Sequence, residues 1–148
     1  MKLGAVLQRI FYPRVDTPEA ALQAIQNGGV AGWIMVALHF VLGAFLIMLI
    51  IPNQDVISGD ALWPAMIQLV IAFFYGAFAT YAWKESRAAI LGMLAFLALD
   101  SLILATRVGG LDLQAVAHLA AFILAFGGMR GAFAHAAFQN IVNSNTSK

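Results

Sequence analysis

The chain is 148 residues long, and 62% of its residues are hydrophobic whereas only 10% are charged. Ordinary soluble domains carry about 25% charged residues, so this chain has too few charges to cover its apolar surface in water. The composition excludes a soluble globular domain, and the formal net charge of +1 gives no support for nucleic-acid binding. The absence of cysteine excludes disulfides and thiolate metal sites.

Residues 1–29 are predicted to form a cytoplasmic interfacial segment. Leu3, Val6, Leu7 and Ile10 recur at helical spacing among basic residues. This pattern is typical of a short amphipathic helix lying on the membrane surface. The alternative is a frayed tail.

A second cytoplasmic helix is expected to begin at Thr17-Pro18-Glu19. Thr17 is suited to cap it, Pro18 fits the first turn, and Glu19 complements the positive end of the helix dipole. Because glycine often terminates helices, Gly28-Gly29 is predicted to end or bend this helix before the membrane.

Four later segments are long and apolar enough to cross a bilayer, for which a helix needs about 20 residues. Their apolar runs are unbroken, which favours helices over spanning strands. The predicted spans are 30–51, 62–83, 88–108 and 113–133. The predicted fold class is therefore an all-α integral membrane four-helix bundle, covering residues 30–134, with an N-terminal interfacial amphipathic helix.

Basic residues indicate the orientation of the bundle. Seven of the eight Lys and Arg residues fall before the first span, between the second and third, or near the end of the fourth and beyond it. The positive-inside rule then predicts cytoplasmic termini, including a tail over residues 135–148. Its last residues, 143–148, are polar and are expected to be disordered. Helices in lipid associate through close packing of small residues, and Ala117, Ala121 and Ala125 form one such row.

Polar residues within the spans are candidate functional residues, because an unpaired charge in hydrocarbon is costly. Asp100 is the clearest case, and Arg107 lies on nearly the same helix face. His118 is expected at a depth similar to that of Asp100, whereas His39 and Tyr75 are expected nearer mid-bilayer. One hypothesis is a proton or ion path through these residues. The other is a structural cross-link between the third and fourth helices.

Cofactor binding is not predicted. Haem needs axial ligands at nearly equal depth, and counting residues along the spans places His39 and His118 about 9 Å apart along the membrane normal. Three scattered histidines also lack the spacing of a metal site. The sequence shows no nucleophile–base pair or phosphate-binding loop, so an enzyme is not predicted.

Charged residues also gather at the predicted cytoplasmic rim. They are expected to anchor the protein among lipid headgroups, or to form a docking surface for a cytoplasmic partner. The rim residues are Glu19, Glu85, Arg87, Arg130 and His135.

Three short motifs in this part of the sequence resemble a family of small uncharacterised four-span bacterial membrane proteins. The motifs are T-P-E-x-A-L from Thr17, Ser86-Arg87-Ala88-Ala89 beside the S-R-x-A-A pattern of the family, and G-x-R-G-x-F from Gly128, followed by His135. They bracket residues 17–138. The resemblance implies the bacterial cytoplasmic membrane and the same topology, but it implies no activity, and Asp100 lies outside the motifs.

The predicted function is that of a non-enzymatic accessory or scaffolding subunit of a larger membrane complex, or of a homo-oligomer. Membrane lipids and other integral membrane subunits, or further copies of this chain, are the expected partners. A small ion channel or proton-coupled transporter centred on Asp100 is the alternative, and a haem-binding subunit is a weaker one.

Overall fold

The computed structural model describes residues 13–50, 59–105 and 113–146. These residues form four α-helices: α1 (Pro18–Ile50), α2 (Gly59–Trp83), α3 (Arg87–Ala105) and α4 (Leu113–Thr146). Each helix is long and apolar enough to span a membrane. The predicted all-α four-helix membrane bundle is confirmed. The proposed amphipathic helix at residues 3–10 lies outside the described residues.

Neighbouring helices run antiparallel, as two sets of contacts along α1 show. Gly29 near the start of α1 faces Trp83 at the end of α2, while Gly43 further along faces Leu69. On the other side of α1, Gly28 faces Gly128. α1 packs most extensively against α2 and α4, and α3 completes the ring by packing against both of these helices.

The expected end of the helix at Gly28-Gly29 is wrong, because α1 runs without interruption from Pro18 to Ile50. The start was predicted correctly: the backbone N–H of Ala20 donates to Oγ1 of Thr17 at 3.2 Å, as in an N-cap. Gly28 and Gly29 allow close contacts with neighbouring helices and do not terminate α1. A Cβ built on Gly28 would lie 2.9 Å from Cα of Gly128, and one on Gly29 would overlap the Trp83 ring.

The end of α4 also differs from the prediction. A tail was expected from residue 135, with polar residues 143–148 disordered, but α4 continues as helix to Thr146. Its extension packs against the start of α1. A Cβ on Gly131 would lie 2.6 Å from the backbone oxygen of Ala21, and Ala132 and Ala136 are buried. Helical packing against α1 therefore continues beyond the apolar span that the sequence indicated.

Small and medium side chains fill the interior. One buried cluster surrounds Met35, Met93 and Leu97, and includes Ala121 and Ala125 of the predicted small-residue row. The outer surface instead carries large apolar side chains such as Phe40, Phe45 and Phe73, each more than half exposed. A bundle with a small-residue interior and large apolar side chains outside suits a lipid or protein environment rather than water.

Candidate functional site

One carboxylate oxygen of Asp100 is the meeting point of side chains from all the other helices. Oδ2 of Asp100 on α3 lies 2.9 Å from Nε2 of His39 on α1 and 3.0 Å from Nε2 of His118 on α4. The hydroxyl of Tyr75 on α2 donates to the same oxygen at 3.1 Å. We call these four residues the Asp100 cluster. They are 8%, 1%, 3% and 0% exposed in the order named, so the cluster faces the bundle interior and not the lipid.

The far nitrogens of both imidazoles are also engaged. Nδ1 of His118 lies 2.8 Å from the backbone carbonyl oxygen of Gln114, one turn earlier on α4. Nδ1 of His39 lies 2.6 Å from Oε1 of Gln68 on α2. Both contacts are short enough to be hydrogen bonds, so each ring is held at its two nitrogens.

Ring packing restricts the imidazoles further. The His39 ring stacks on Tyr75 with centroids 5.6 Å apart and 15° between the planes. It meets the His118 ring edge-on, with centroids 6.0 Å apart. Contacts of this kind hold side chains in single orientations, so the three polar groups around Oδ2 are positioned in advance of any ligand.

The expected difference in depth between His39 and His118 is therefore wrong for their side chains. The estimate assumed that the spans begin and end at common planes. Asp100 and His118 each lie five residues from the nearby ends of α3 and α4, but His39 lies eleven residues before the end of α1. The contacts of both Nε2 atoms with Oδ2 show that α1 is shifted along its axis relative to that assumption, which brings His39 to the level of the other two.

Sequence reasoning missed one member of the surroundings, Gln68. Its position carries a signal, because Gln68 and Tyr75 are seven residues apart and therefore share a face of α2. A polar heptad pair inside an otherwise apolar span indicates a polar interior contact. Arg107, which was expected to reach back toward Asp100, lies outside the described residues.

Three residues of the Asp100 cluster form a group that can hold a metal ion. The candidate ligand atoms of His39, Asp100 and His118 all lie within 4.8 Å of one another. Two imidazole nitrogens and one carboxylate oxygen are common ligands of zinc and non-haem iron. A metal site was not predicted from the sequence, because these residues are 61 and 18 positions apart along the chain and lack the short spacing of ligand motifs.

The opposite end of the bundle carries the predicted rim residues. Glu85 in the α2–α3 turn approaches His135 on α4, with Oε2 and Nε2 3.1 Å apart. Gln139, one turn further along α4, also contacts Nε2 of His135 at 3.0 Å. The rim thus joins the α2–α3 turn to the extension of α4.

The α2–α3 turn is tight, as its sequence predicts. Glu85 adopts a left-handed backbone conformation with φ of 62°, which is uncommon for a residue other than glycine. Ser86 then caps α3, because its Oγ accepts from the backbone N–H of Ala89 at 3.3 Å. Of the remaining rim residues, Glu19 and Arg87 are exposed and Arg130 is half-buried.

The sequence and the fold were compared with known proteins. No family model matches the chain, no curated protein matches it, and no solved structure matches it. Functional inference therefore depends on the geometry of the bundle and of the Asp100 cluster.

Proposed function

We propose that this chain is a non-enzymatic integral membrane protein that acts as an accessory or scaffolding subunit, either of a larger membrane complex or of a homo-oligomer. The observation that carries this proposal is that the four residues of the Asp100 cluster are buried and contact one another. Its polar side chains lie within hydrogen-bonding distance of one another, of the Gln68 side chain and of the Gln114 carbonyl, so the cluster connects all four helices. A rigid bundle of this kind suits a scaffold.

The outer surface supports the same proposal. Aromatic and aliphatic side chains cover the bundle on every helix, including Phe40, Phe73, Leu102 and Phe122. Such a surface accommodates lipid and also the apolar face of another membrane helix. The close-packed glycines of α1 and α4 face other helices of the same bundle, Gly28 and Gly128 each other and Gly29 and Gly43 the side chains of α2. Contacts with a further subunit are therefore expected to come from the larger outer side chains.

Cross-linking in native membranes tests the accessory role. We expect mild detergent to extract the full-length chain in a complex larger than the monomer, and cross-linking before extraction to give the same species. A phenylalanine-to-alanine pair on the outer surface, Phe40→Ala and Phe73→Ala, serves to locate the interface. A monomer both in cross-linked membranes and in detergent would overturn the proposal.

A second function is favoured by a specific observation, the burial of a carboxylate among two imidazoles. Asp100, His39 and His118 can exchange protons with one another, and intramembrane groups of this kind occur in proton relays. The cluster lies near the ends of α3 and α4 that are remote from the chain termini, about 8 Å along each helix. We propose proton-coupled or ion transport through Asp100 as the alternative function.

Flux measurements separate the two functions. The purified chain is reconstituted in liposomes with an internal pH-sensitive dye, and proton or cation flux is measured with Asp100→Asn and with Glu85→Gln as the matched control on the exposed rim. The transport proposal predicts flux that Asp100→Asn abolishes and Glu85→Gln preserves. No flux in the unaltered chain removes this alternative.

Location and orientation complete the proposal. We place the protein in the bacterial inner membrane with both termini in the cytoplasm. The support is the basic bias of the connections and ends, together with the even number of spans. The α1 start, the α2–α3 turn and the α4 extension lie at the same end of the bundle, as this orientation requires.

A further inference from the structure

The hydrogen-bond roles around His118 determine which nitrogen carries its proton. Nδ1 faces the backbone carbonyl oxygen of Gln114 at 2.8 Å, and a carbonyl oxygen can only accept. Nδ1 therefore carries a hydrogen. In the neutral ring, this leaves a lone pair on Nε2, which points at Oδ2 of Asp100 from 3.0 Å.

His39 has the same arrangement. Its Nδ1 faces Oε1 of Gln68 at 2.6 Å, and donation to this oxygen again leaves the lone pair on Nε2. That nitrogen lies 2.9 Å from Oδ2 of Asp100. Two imidazole lone pairs and a carboxylate oxygen thus converge on one small buried volume.

Three acceptors that face one another in an apolar interior repel unless a positive charge lies between them. Protons on both Nε2 atoms would satisfy them, but would place two imidazolium ions inside the membrane beside one carboxylate. One metal cation satisfies all three acceptors together. Protons and a metal ion are therefore the two possible occupants, and the metal ion satisfies all three acceptors without placing two imidazolium ions in the membrane.

The surroundings match those of a ligated histidine. Histidines that bind a metal through one nitrogen commonly donate the other N–H to a carbonyl or carboxylate oxygen, which fixes the tautomer and orients the ring. Both imidazoles of the Asp100 cluster have such an oxygen, supplied by Gln114 and Gln68. Tyr75 in turn donates to the carboxylate ligand, as second-sphere groups of metal sites do.

The ligand set indicates the class of ion. Imidazole nitrogens suit zinc, iron, copper and nickel, whereas calcium and magnesium prefer oxygen ligands only. Metal–ligand bonds of about 2.0–2.2 Å place tetrahedral ligand atoms about 3.3 Å apart. The observed 2.9 and 3.0 Å contacts with Oδ2 would open by a few tenths of an ångström, and the two imidazole nitrogens, which lie within 4.8 Å of each other, would close by at most about 1.5 Å. We infer that His39, Asp100 and His118 bind one divalent first-row transition-metal ion, with Zn²⁺ as the representative.

Zinc binding by the purified chain tests the inference directly. The full-length protein is prepared without a polyhistidine tag, stripped with chelator, incubated with Zn²⁺ and separated from free ion by gel filtration. We expect one zinc per chain. His39→Gln and His118→Gln should each lower the retained zinc at least tenfold, whereas His135→Gln, which alters the third histidine of the chain, should retain it.

Spectroscopy of the unaltered chain makes the outcome independent of how the variants fold. X-ray absorption of the zinc-loaded protein should show two imidazole nitrogens and additional oxygen at about 2.0–2.1 Å. Zinc entry should also release protons, because the ion replaces any proton shared between Oδ2 and the Nε2 atoms.

Two results would overturn the inference. One is an unaltered chain that retains no stoichiometric zinc, which would leave protons as the occupants of the cluster. The other is a bound ion whose spectrum lacks two imidazoles, or whose retention depends on His135 instead of His39 and His118. Either result leaves the accessory role untouched, because that role depends on the cross-link and the outer surface.

Discussion

Gly28 of α1 and Gly128 of α4 touch backbone to backbone. A Cβ on Gly28 would lie 2.9 Å from Cα of Gly128, and a Cβ on Gly128 would lie 2.7 Å from Cα of Gly28. Real side-chain carbons do not approach so closely, so neither position has room for alanine. This contact brings α1 and α4 together along the interface that continues to His39 and His118.

Alanine at Gly28 should therefore destabilise the bundle. Since the conflicting atoms belong to backbone, the two helices must separate, and overpacking of this kind costs about 1–3 kcal/mol. Gly76→Ala is the matched control, because a Cβ there would make only an ordinary 3.6 Å contact with Val36 and should be neutral or slightly stabilising. Unfolding titrations in mixed micelles measure both. Equal stabilities of the two variants would contradict the prediction.

Removal of the central carboxylate should weaken the bundle. Asp100→Ala deletes the contacts to His39, His118 and Tyr75, whether a proton or a metal ion joins each Nε2 to Oδ2, and polar contacts inside membrane proteins average about 0.6 kcal/mol each. We expect a loss of about 2 kcal/mol in the free energy of unfolding. Thr80→Ala should have little effect, because its exposed hydroxyl bonds only to the carbonyl of Gly76. A loss for Asp100→Ala no larger than that for Thr80→Ala would argue against the cross-link.

Substitutions of Gln68 and Gln114 should affect the metal affinity differently, because one contacts its histidine through the side chain and the other through the backbone. Gln68→Ala removes the side-chain oxygen that holds His39, and second-sphere changes typically lower metal affinity 10- to 100-fold. Gln114→Ala keeps the backbone carbonyl that holds His118, so affinity should stay within a factor of about 3 of the unaltered chain. Zinc titration against a competing chelator measures both affinities. A Gln68 effect no larger than the Gln114 effect would show that the amide does not orient His39.

Acidification should release the metal ion. Imidazole must be deprotonated to bind a metal, and protons compete for the Nε2 atoms of both histidines. His39, Tyr75, Asp100 and His118 are the titratable groups that face the proposed ion from the four helices. We expect zinc retention to fall as the pH is lowered from 7.5 to about 5 and to recover on return. Retention that is constant over this range would count against imidazole ligands.

Backbone strain at Glu85 offers a test of the α2–α3 turn. A left-handed conformation costs a residue with a Cβ about 1–2 kcal/mol relative to glycine. Glu85→Gly and Glu85→Ala both lose the contact with His135, but only the glycine variant relieves φ of 62°. The glycine variant should therefore be more stable than the alanine variant by about 1 kcal/mol. Thermal unfolding in detergent compares them, and a more stable alanine variant would show that the turn adapts.

Single cysteines test the orientation, because the natural chain has none. Glu19→Cys at the start of α1 and Ser144→Cys near the end of α4 should react with an impermeant maleimide only after the cells are opened. Asn53→Cys, in the connection between α1 and α2, should react in intact cells. Glu19→Cys and Ser144→Cys on opposite sides would be incompatible with four spans.

The number of helices and their alternation could be predicted from the sequence. Unbroken apolar segments longer than a bilayer thickness have only one stable form in hydrocarbon, since each backbone polar group must find its partner within the helix. The predicted spans 62–83 and 113–133 accordingly lie within α2 and α4. Helix ends were less predictable: Gly28-Gly29 does not end α1, because Gly128 and Trp83 pack against these positions.

The members of the Asp100 cluster could be named from the sequence, but their meeting could not. Hydropathy fixes neither the rotation of an apolar helix about its axis nor its shift along its neighbours. Only the packed bundle, in which α1 is shifted along its axis relative to α3 and α4, brings His39 to Asp100 and His118. The sequence by itself determined four helices and the polar residues buried within them. Tertiary packing decided that His39, Tyr75 and His118 meet at Oδ2 of Asp100. The reason is that close contacts between helices set their relative axial positions, which the local sequence of each helix does not encode.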